Sequence, residues 1–255
     1  MKSLLLSLPA LIAGTALASA ADLTRRAAPV GAVAVVSPIS WTGFYAGIHG
    51  ALLRDGGGAA RTGISDVPPD LLPSRAGLSD TGFGGGVQIG YLWDLGRLVA
   101  GIETDLSVTD VGRSRSSVVL DGPFALRTDL SSQMNLFGSL KGRVGLALPS
   151  FLPFVEGSLV YVTAGLAVAR MEHQGQIAVL PPGLGPEAGS EAWKAGFVVG
   201  AGTEHRLSEA ISIKTETLYY NLADERLTLA RAGAQASYRF ENDGWISRVG
   251  LNVRF

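Results

Sequence analysis

The sequence predicts an all-β fold, an eight-stranded antiparallel transmembrane up-and-down β-barrel with short periplasmic turns and four long extracellular loops. Three observations carry this expectation. The chain ends in a strict alternation that stops on an aromatic residue, Trp245-Ile246-Ser247-Arg248-Val249-Gly250-Leu251-Asn252-Val253-Arg254-Phe255. Seven earlier segments share its period of two, and their connections alternate long and short. The N-terminus reads as an export signal, yet no later apolar run is long enough for a spanning helix. Because every backbone N–H and C=O needs a partner inside lipid, a closed barrel is the other structure that can cross a bilayer.

The export signal has a basic start at Lys2, an apolar run through Leu4, Leu5, Leu6, Leu8, Leu11 and Ile12, and the small residues Ala18-Ser19-Ala20 before Ala21. Residues 1–20 are therefore set apart from the fold. Residues 21–40 lack alternation and carry prolines, as a periplasmic linker would. The barrel domain is expected over 41–255. The chain has no cysteine, so neither disulfides nor thiolate metal sites hold it together. A net charge of −1 argues against nucleic acid as a partner.

The first strand is expected over Trp41–Leu52, with Phe44, Ala46, Ile48 and Leu52 opposite Tyr45, Gly47 and His49. After a Gly/Pro/Asp-rich stretch, Val87, Ile89, Tyr91 and Trp93 share one face of the second. Asp94-Leu95-Gly96-Arg97 is a tight turn by its Asp and Gly. The third strand sets Leu98, Ala100, Ile102, Thr104, Leu106 and Val108 against Val99, Gly101, Glu103, Asp105 and Ser107, the clearest two-faced pattern in the chain. The fourth sets Met134, Leu136, Leu140, Val144 and Leu146 against Asn135, Ser139, Lys141 and Arg143.

The fifth runs from about Phe154 to Ala169, with parity unresolved through Val160-Tyr161-Val162 and Glu156 as its inward charge. The sixth opposes Trp193, Ala195, Phe197, Val199, Ala201 and Thr203 to Lys194, Gly196, Gly200, Gly202, Glu204 and Arg206. The seventh opposes Ile211, Ile213, Thr215, Thr217 and Tyr219 to Ser212, Lys214, Glu216 and Tyr220. A last loop, from about Leu222 to Gly244, leads into the terminal strand. Short turns belong to the periplasmic side and long connections outside, so both termini are expected in the periplasm. Trp41, Trp93, Trp193, Tyr219 and Trp245 fall near strand ends, where an aromatic belt meets the headgroups.

The polar faces gather Glu103, Asp105, Glu156, Glu204 and Glu216 with Lys141, Arg143, Lys194, Arg206, Lys214, Arg248 and Arg254. Charges in a narrow interior are costly unless paired, which predicts a salt-bridged network. Glu103 and Asp105 should meet Lys141 and Arg143, and Glu216 should meet Arg248. At about eight strands the interior is just wide enough for side chains to fill it, so a plug is favoured over a selective channel. The histidines are His49, mid-strand and inward, His205 near the periplasmic end, and His173 in the third long loop at the outer surface. No Ser/His/acid spacing stands out, and no helix follows Gly56-Gly57-Gly58 or Gly84-Gly85-Gly86 as a phosphate loop needs.

Several stretches resemble the alphaproteobacterial outer-membrane surface-antigen family of opacity-like, OmpA-like barrels, also called outer membrane immunogenic or porin family proteins. They are Ala21-Asp22-Leu23, Trp41-Thr42-Gly43-Phe44-Tyr45-Ala46-Gly47, Leu140-Lys141-Gly142-Arg143-Val144-Gly145, Tyr161-Val162-Thr163-Ala164-Gly165-Leu166-Ala167, Gly200-Ala201-Gly202-Thr203-Glu204, Lys214-Thr215-Glu216 and the final eight residues. The resemblance implies an eight-stranded barrel inserted by the outer-membrane assembly machinery through its last strand, with Phe255, Val253 and Leu251 as the assembly signal. It also implies a structural or surface-contact role. The matching stretches lie outside the loops, so any ligand that relatives bind there, such as haem in some of them, does not carry over.

The expected function is a non-enzymatic outer-membrane barrel serving envelope integrity and surface contacts, without cofactor or metal. Its partners would be outer-membrane lipids, the assembly machinery and host or surface ligands at the loops. A small-conductance porin, a lipid-modifying enzyme acting beside His173, a surface ligand binder and a soluble lipocalin-like barrel are the alternatives.

Overall fold

The computed structural model describes residues 40–66, 69–77, 80–121, 123–149, 154–180, 185–231 and 234–255. The expected signal and the linker up to residue 39 lie outside them. Ten strands form one antiparallel sheet: β1 (Gly43–Asp55), β2 (Gly58–Ser65), β3 (Arg75–Gly77), β4 (Asp80–Asp94), β5 (Leu98–Asp121), β6 (Phe124–Pro149), β7 (Gly157–Leu180), β8 (Glu187–Arg206), β9 (Ile211–Arg231) and β10 (Ala234–Arg254). β1 pairs with both β4 and β10, so β1 and β4 through β10 close into a ring of eight. β2 adds to β10 beyond the point where β1 ends, and β3 adds to β2. The last amide completes the closure, Phe255 N–H donating to the Phe44 carbonyl at 3.1 Å.

Side chains alternate across the wall as the strand period requires. Phe44, Ile48, Val87, Ile89, Ile102, Leu106, Leu140, Val162, Leu166, Phe197, Val249 and Leu251 are exposed on the outside, where lipid replaces water. The fifth segment is regular, with Val160 and Val162 outward and Leu159, Tyr161 and Thr163 inward. Two inward tyrosines find room over glycines. A Cβ at Gly90 would land on the Tyr45 phenol, and one at Gly202 would land on that of Tyr161.

The strands run further than the sequence suggests. Most of the residues expected in the last three long loops belong to strands, because β5 and β6, β7 and β8, and β9 and β10 continue as paired ladders well past the apolar band. The reason is local. Outside the membrane the outward residues face water, so Ser114, Ser116, Gln133, Gln174 and Gln176 take the place of leucines and the apolar contrast disappears. Many inward positions stay apolar, with Leu130, Ile177, Leu227, Leu229, Tyr238 and Phe240 all buried together.

Four ladders shift register in this region, and the bulges in β6 and β9 do most to shape the extension. β6 carries an extra residue at Asn135, between the Met134↔Met171 and Leu136↔Arg170 pairs. β9 carries two residues, Ala223 and Asp224, opposite Glu241, and the Asn242 amide donates to the Ala223 carbonyl at 3.1 Å. Beyond that second bulge β9 leaves β8, because the β8–β9 ladder stops at Gly196↔Leu222. β9 then packs inward against β7. A Cβ at Gly175 would lie 3.1 Å from the Leu227 side chain and 3.3 Å from those of Leu130 and Leu229. The ring thus flattens into a two-layer sandwich, with β5–β8 in one layer and β9, β10, β2 and β3 in the other.

Candidate functional site

The lumen is filled in layers. At the short-turn end Trp41 is 2% exposed and lies between two guanidinium groups, Arg254 at 5.3 Å and Arg206 at 5.7 Å from its ring centre. Its backbone is tied down by its N–H donating to Asp94 at 2.9 Å and by Arg254 donating to its carbonyl. This corrects the expectation that Trp41 belongs to the outer belt. It precedes β1 and turns into the barrel mouth, where two cations and Leu92, Val99 and Leu159 receive it.

Above this stopper lies the charged layer. Glu103, on β5, is directly opposite Lys141 on β6. Its carboxylate accepts from Lys214 at 2.7 Å, from Tyr45 at 2.7 Å and from Arg143 at 3.4 Å, and stands 3.1 Å from Lys141. Lys141 also reaches Glu216 at 3.0 Å and Asp105 at 3.1 Å. Arg143 continues to Glu204 at 2.8 Å, while its guanidinium sits 3.8 Å from the Tyr161 ring centre. Arg248 meets Asp105 at 2.9 Å and Glu216 at 4.0 Å. Arg254 lies 3.9 Å from Glu204 and bridges this layer to the stopper.

Four carboxylates, Glu103, Asp105, Glu204 and Glu216, therefore share four buried cations, Lys141, Arg143, Lys214 and Arg248. Each of these carboxylates has more than one cation or neutral donor beside it, and Lys141, Arg143 and Arg248 each reach more than one carboxylate, while Lys214 is held by both oxygens of Glu103. That multiplicity offsets the desolvation cost, which a single buried pair barely recovers. Neutral groups extend the layer, with His49 contacting Gln88 at 3.1 Å and Ser107 at 2.8 Å, and Ser212 donating to Glu204 at 2.6 Å.

Glu156 is not part of it. It sits exposed just before β7 begins at Gly157, with its amide donating to the Arg206 carbonyl, so the inward role expected of it falls away. Lys194 is also apart, paired with Glu225 in the outer sandwich.

The next layer is apolar, built around Leu53, Phe137, Leu218, Tyr220 and Ile246. Beyond it comes a polar layer above the level of Trp245. There Arg113 donates to Asp55 at 2.6 Å, to the Glu241 carbonyl at 3.1 Å and to Asn242 at 3.3 Å. Burial pushes the Asp55 carboxyl up to about 6 against the pull of Arg113. His173 occupies the same level. It is 1% exposed, lies tilted against Phe240 with ring centres 4.7 Å apart, and neither ring nitrogen has a hydrogen-bond partner among the described residues. Burial pushes its imidazole down to about 4, and Arg113 and Lys194 act in the same direction. The rim position expected for His173 is therefore overturned: it lies within β7 on the inward face, enclosed by the sandwich.

On the outside, aromatic side chains gather at two levels. Trp93, Tyr91, Phe44 and Phe255 cluster at the short-turn end, with ring centres 4.6 to 6.5 Å apart. Tyr219 and Trp245 lie 5.3 Å apart at the other end, beside Phe197 and on the same side of the wall as exposed Trp193. Val253 and Leu251 point outward on β10 next to Phe255.

Sequence reasoning missed Tyr45 and Tyr161 as members of the charged layer, Tyr45 although it stands on the polar face of the first strand, Tyr161 because the parity around it is unresolved in the sequence. It also missed Arg113 and Asp55, whose strand extensions carry no outer apolar face. Among the described residues no cluster of three or more metal-ligating side chains occurs.

Relatives of this chain match most or all of its length. It is 30% identical over 266 residues to the 31 kDa outer-membrane immunogenic protein of Brucella melitensis, covering all of both chains. It is also 30% identical over 217 residues to the 22 kDa outer membrane protein of Rhizobium leguminosarum, spanning 85% of this chain and 79% of that one. The 25 kDa outer-membrane immunogenic protein of Brucella canis is 27% identical over 257 residues, covering all of this chain and 99% of that one. The model of the outer membrane protein β-barrel domain matches residues 7–240, and with an eight-stranded ring apolar on its outside the chain belongs to that family of outer-membrane β-barrel proteins.

Proposed function

We propose that this outer-membrane protein is a non-enzymatic, non-conducting barrel that reinforces the envelope and presents its extended strands for contacts outside the cell. The observation that carries the reading is the filled lumen, in which the Trp41 stopper, the charged layer and the layer around Phe137 succeed one another along the axis. A water-filled selective pore needs an open path through those layers, and eight strands leave little room for one. The burial of His173 removes the base that a lipid-modifying enzyme would use at the rim. Outer-membrane lipids against the apolar band, and the assembly machinery recognising the strand ending at Phe255, are the partners this reading implies.

Planar bilayer recording of the purified, refolded protein tests it. The expected result is a baseline without discrete steps under applied voltage. Large, stable open channels would overturn the reading in favour of a porin.

A further inference from the structure

The outer sandwich leaves one strand edge without a neighbour. The ladder between β8 and β9 ends at Gly196↔Leu222, yet β8 extends back to Glu187 and remains paired with β7 as far as Gln176↔Glu187. Two bonds fix which backbone groups are affected. Ile177 N–H donates to the Pro186 carbonyl, so on β8 the even-numbered residues exchange bonds with β7. Leu207 N–H donates to the Ile211 carbonyl, so the odd-numbered ones face β9. From Glu187 to Trp193 the odd residues Glu187, Gly189, Glu191 and Trp193 therefore turn N–H and C=O toward an edge with no strand on it among the described residues, while Ala195, next to the last pair, still bonds β9 through its carbonyl.

The gap is a consequence of the bulge at Ala223 and Asp224, which sends β9 into the second layer. What joins β8 to β9 there is side chain, Ser190 donating to Glu225 at 3.1 Å and Lys194 pairing with the same carboxylate. Both come from even-numbered, inward residues, so they tie the layers together without occupying the lateral edge. Between Glu187 and Trp193 that edge has no proline and no bulge, and its protection is charge alone, from the outward Glu187 and Glu191 and from the inward Lys194 just beyond it.

We infer that the β8 edge, Glu187–Trp193, is a strand-addition site for an extended peptide segment of a partner protein, with cationic side chains at alternate positions. The charge follows from the outward face it would join. Glu187 and Glu172 have no ion-pair partner among the described residues, while Arg170 already engages Glu191 and Arg239 lies 3.7 Å from Asp224. An added strand sets its outward residues beside Glu187, Gly189, Glu191 and Trp193, so lysine or arginine fits beside the unpaired Glu187 and can share Glu191 with Arg170. Backbone bonds to the four odd residues supply affinity and the alternating charges supply register. This assignment rests on the surface-contact part of the function proposed above.

The full chain, refolded in neutral detergent micelles, is titrated with a peptide of about nine residues alternating lysine and valine. Amide hydrogen exchange at Gly189, Glu191 and Trp193 and the dissociation constant are the readouts. Binding should protect those amides. N-methylation of every second peptide nitrogen should weaken it by about tenfold or more, because edge bonds are lost while the charge is kept. Gly189→Pro, which removes an amide that β7 does not use, should weaken binding similarly, and its thermal unfolding serves as the folding control.

Equal binding of the N-methylated peptide would show attraction by charge alone and overturn the inference. So would absence of binding, or protection elsewhere. Channel activity in bilayers would sink the function proposed above whatever the peptide does, whereas failure of the peptide leaves the filled barrel standing.

Discussion

Individual buried residues carry measurable consequences, and Glu103 is the sharpest case. It faces Lys214, Lys141, Arg143 and Tyr45 at once, so Glu103→Gln leaves three cations with one carboxylate fewer. The expected cost is about 3–5 kcal/mol in denaturant unfolding from detergent, the range for breaking a buried pair from one side. Adding Lys214→Met should return part of it, since the second change removes the charge left over. A double-mutant cycle with no coupling would show that the two do not share an ion pair.

His173 allows a pH test with a defined sign. Its folded imidazole titrates near 4, below the ordinary 6.5, so the native state holds the neutral form and loses stability as pH falls from 6.5 toward 4. Asp55 runs the other way. Its folded carboxyl at about 6 lies above 3.8, so it gains stability over a similar interval as pH falls. Comparison of the wild type with His173→Phe cancels Asp55. The variant's advantage should grow between pH 6.5 and 4 by on the order of 3 kcal/mol and stay flat above pH 7. A pH-independent difference would refute the assignment to His173.

Single elements show where the sequence is legible and where it is not. Alternation can be read wherever lipid lies outside, because the contrast between Ile102 and Glu103 or between Val249 and Arg248 is as large as side chains allow. It fades in the extensions, where Ser131 and Ser132 or Gln174 and Gly175 differ little in polarity although one of each pair faces the sandwich core. A single residue without a strand around it is read least well. Trp41 and Glu156 stand just outside β1 and β7, where parity gives no direction, and only the fold turns the first inward and the second out. The charged layer is readable because Glu103, Asp105, Lys141, Arg143, Glu216 and Arg248 all lie on adjacent, regular strands. The bulge in β9 escapes sequence reading, since Ala223-Asp224 has no signature distinguishing it from a loop. Its effect is still testable. Deleting Ala223 removes the extra residue opposite Glu241, so β9 should continue beside β8 and Gly189, Glu191 and Trp193 should gain protection from hydrogen exchange. Unchanged exchange would mean that something other than the bulge separates the strands.

At the scale of the whole molecule the layers act in series. An ion crossing the barrel would have to pass Trp41 between Arg206 and Arg254, then the eight charges around Glu103 and Lys214, then the apolar packing of Leu53, Phe137 and Tyr220, and then the sandwich. Each obstacle has its own physics: a steric stopper, a desolvation barrier across fixed opposite charges, and an apolar constriction. Removing one leaves the others in place. Trp41→Ala and Phe137→Ala should therefore each keep a silent bilayer baseline while lowering stability, Phe137→Ala by about 3–5 kcal/mol as a large-to-small change in a packed core. A discrete conductance step from Trp41→Ala alone would show instead that the stopper is the gate of an otherwise permeable lumen. The charged layer would then have to be read as the lining of a path and not as a plug.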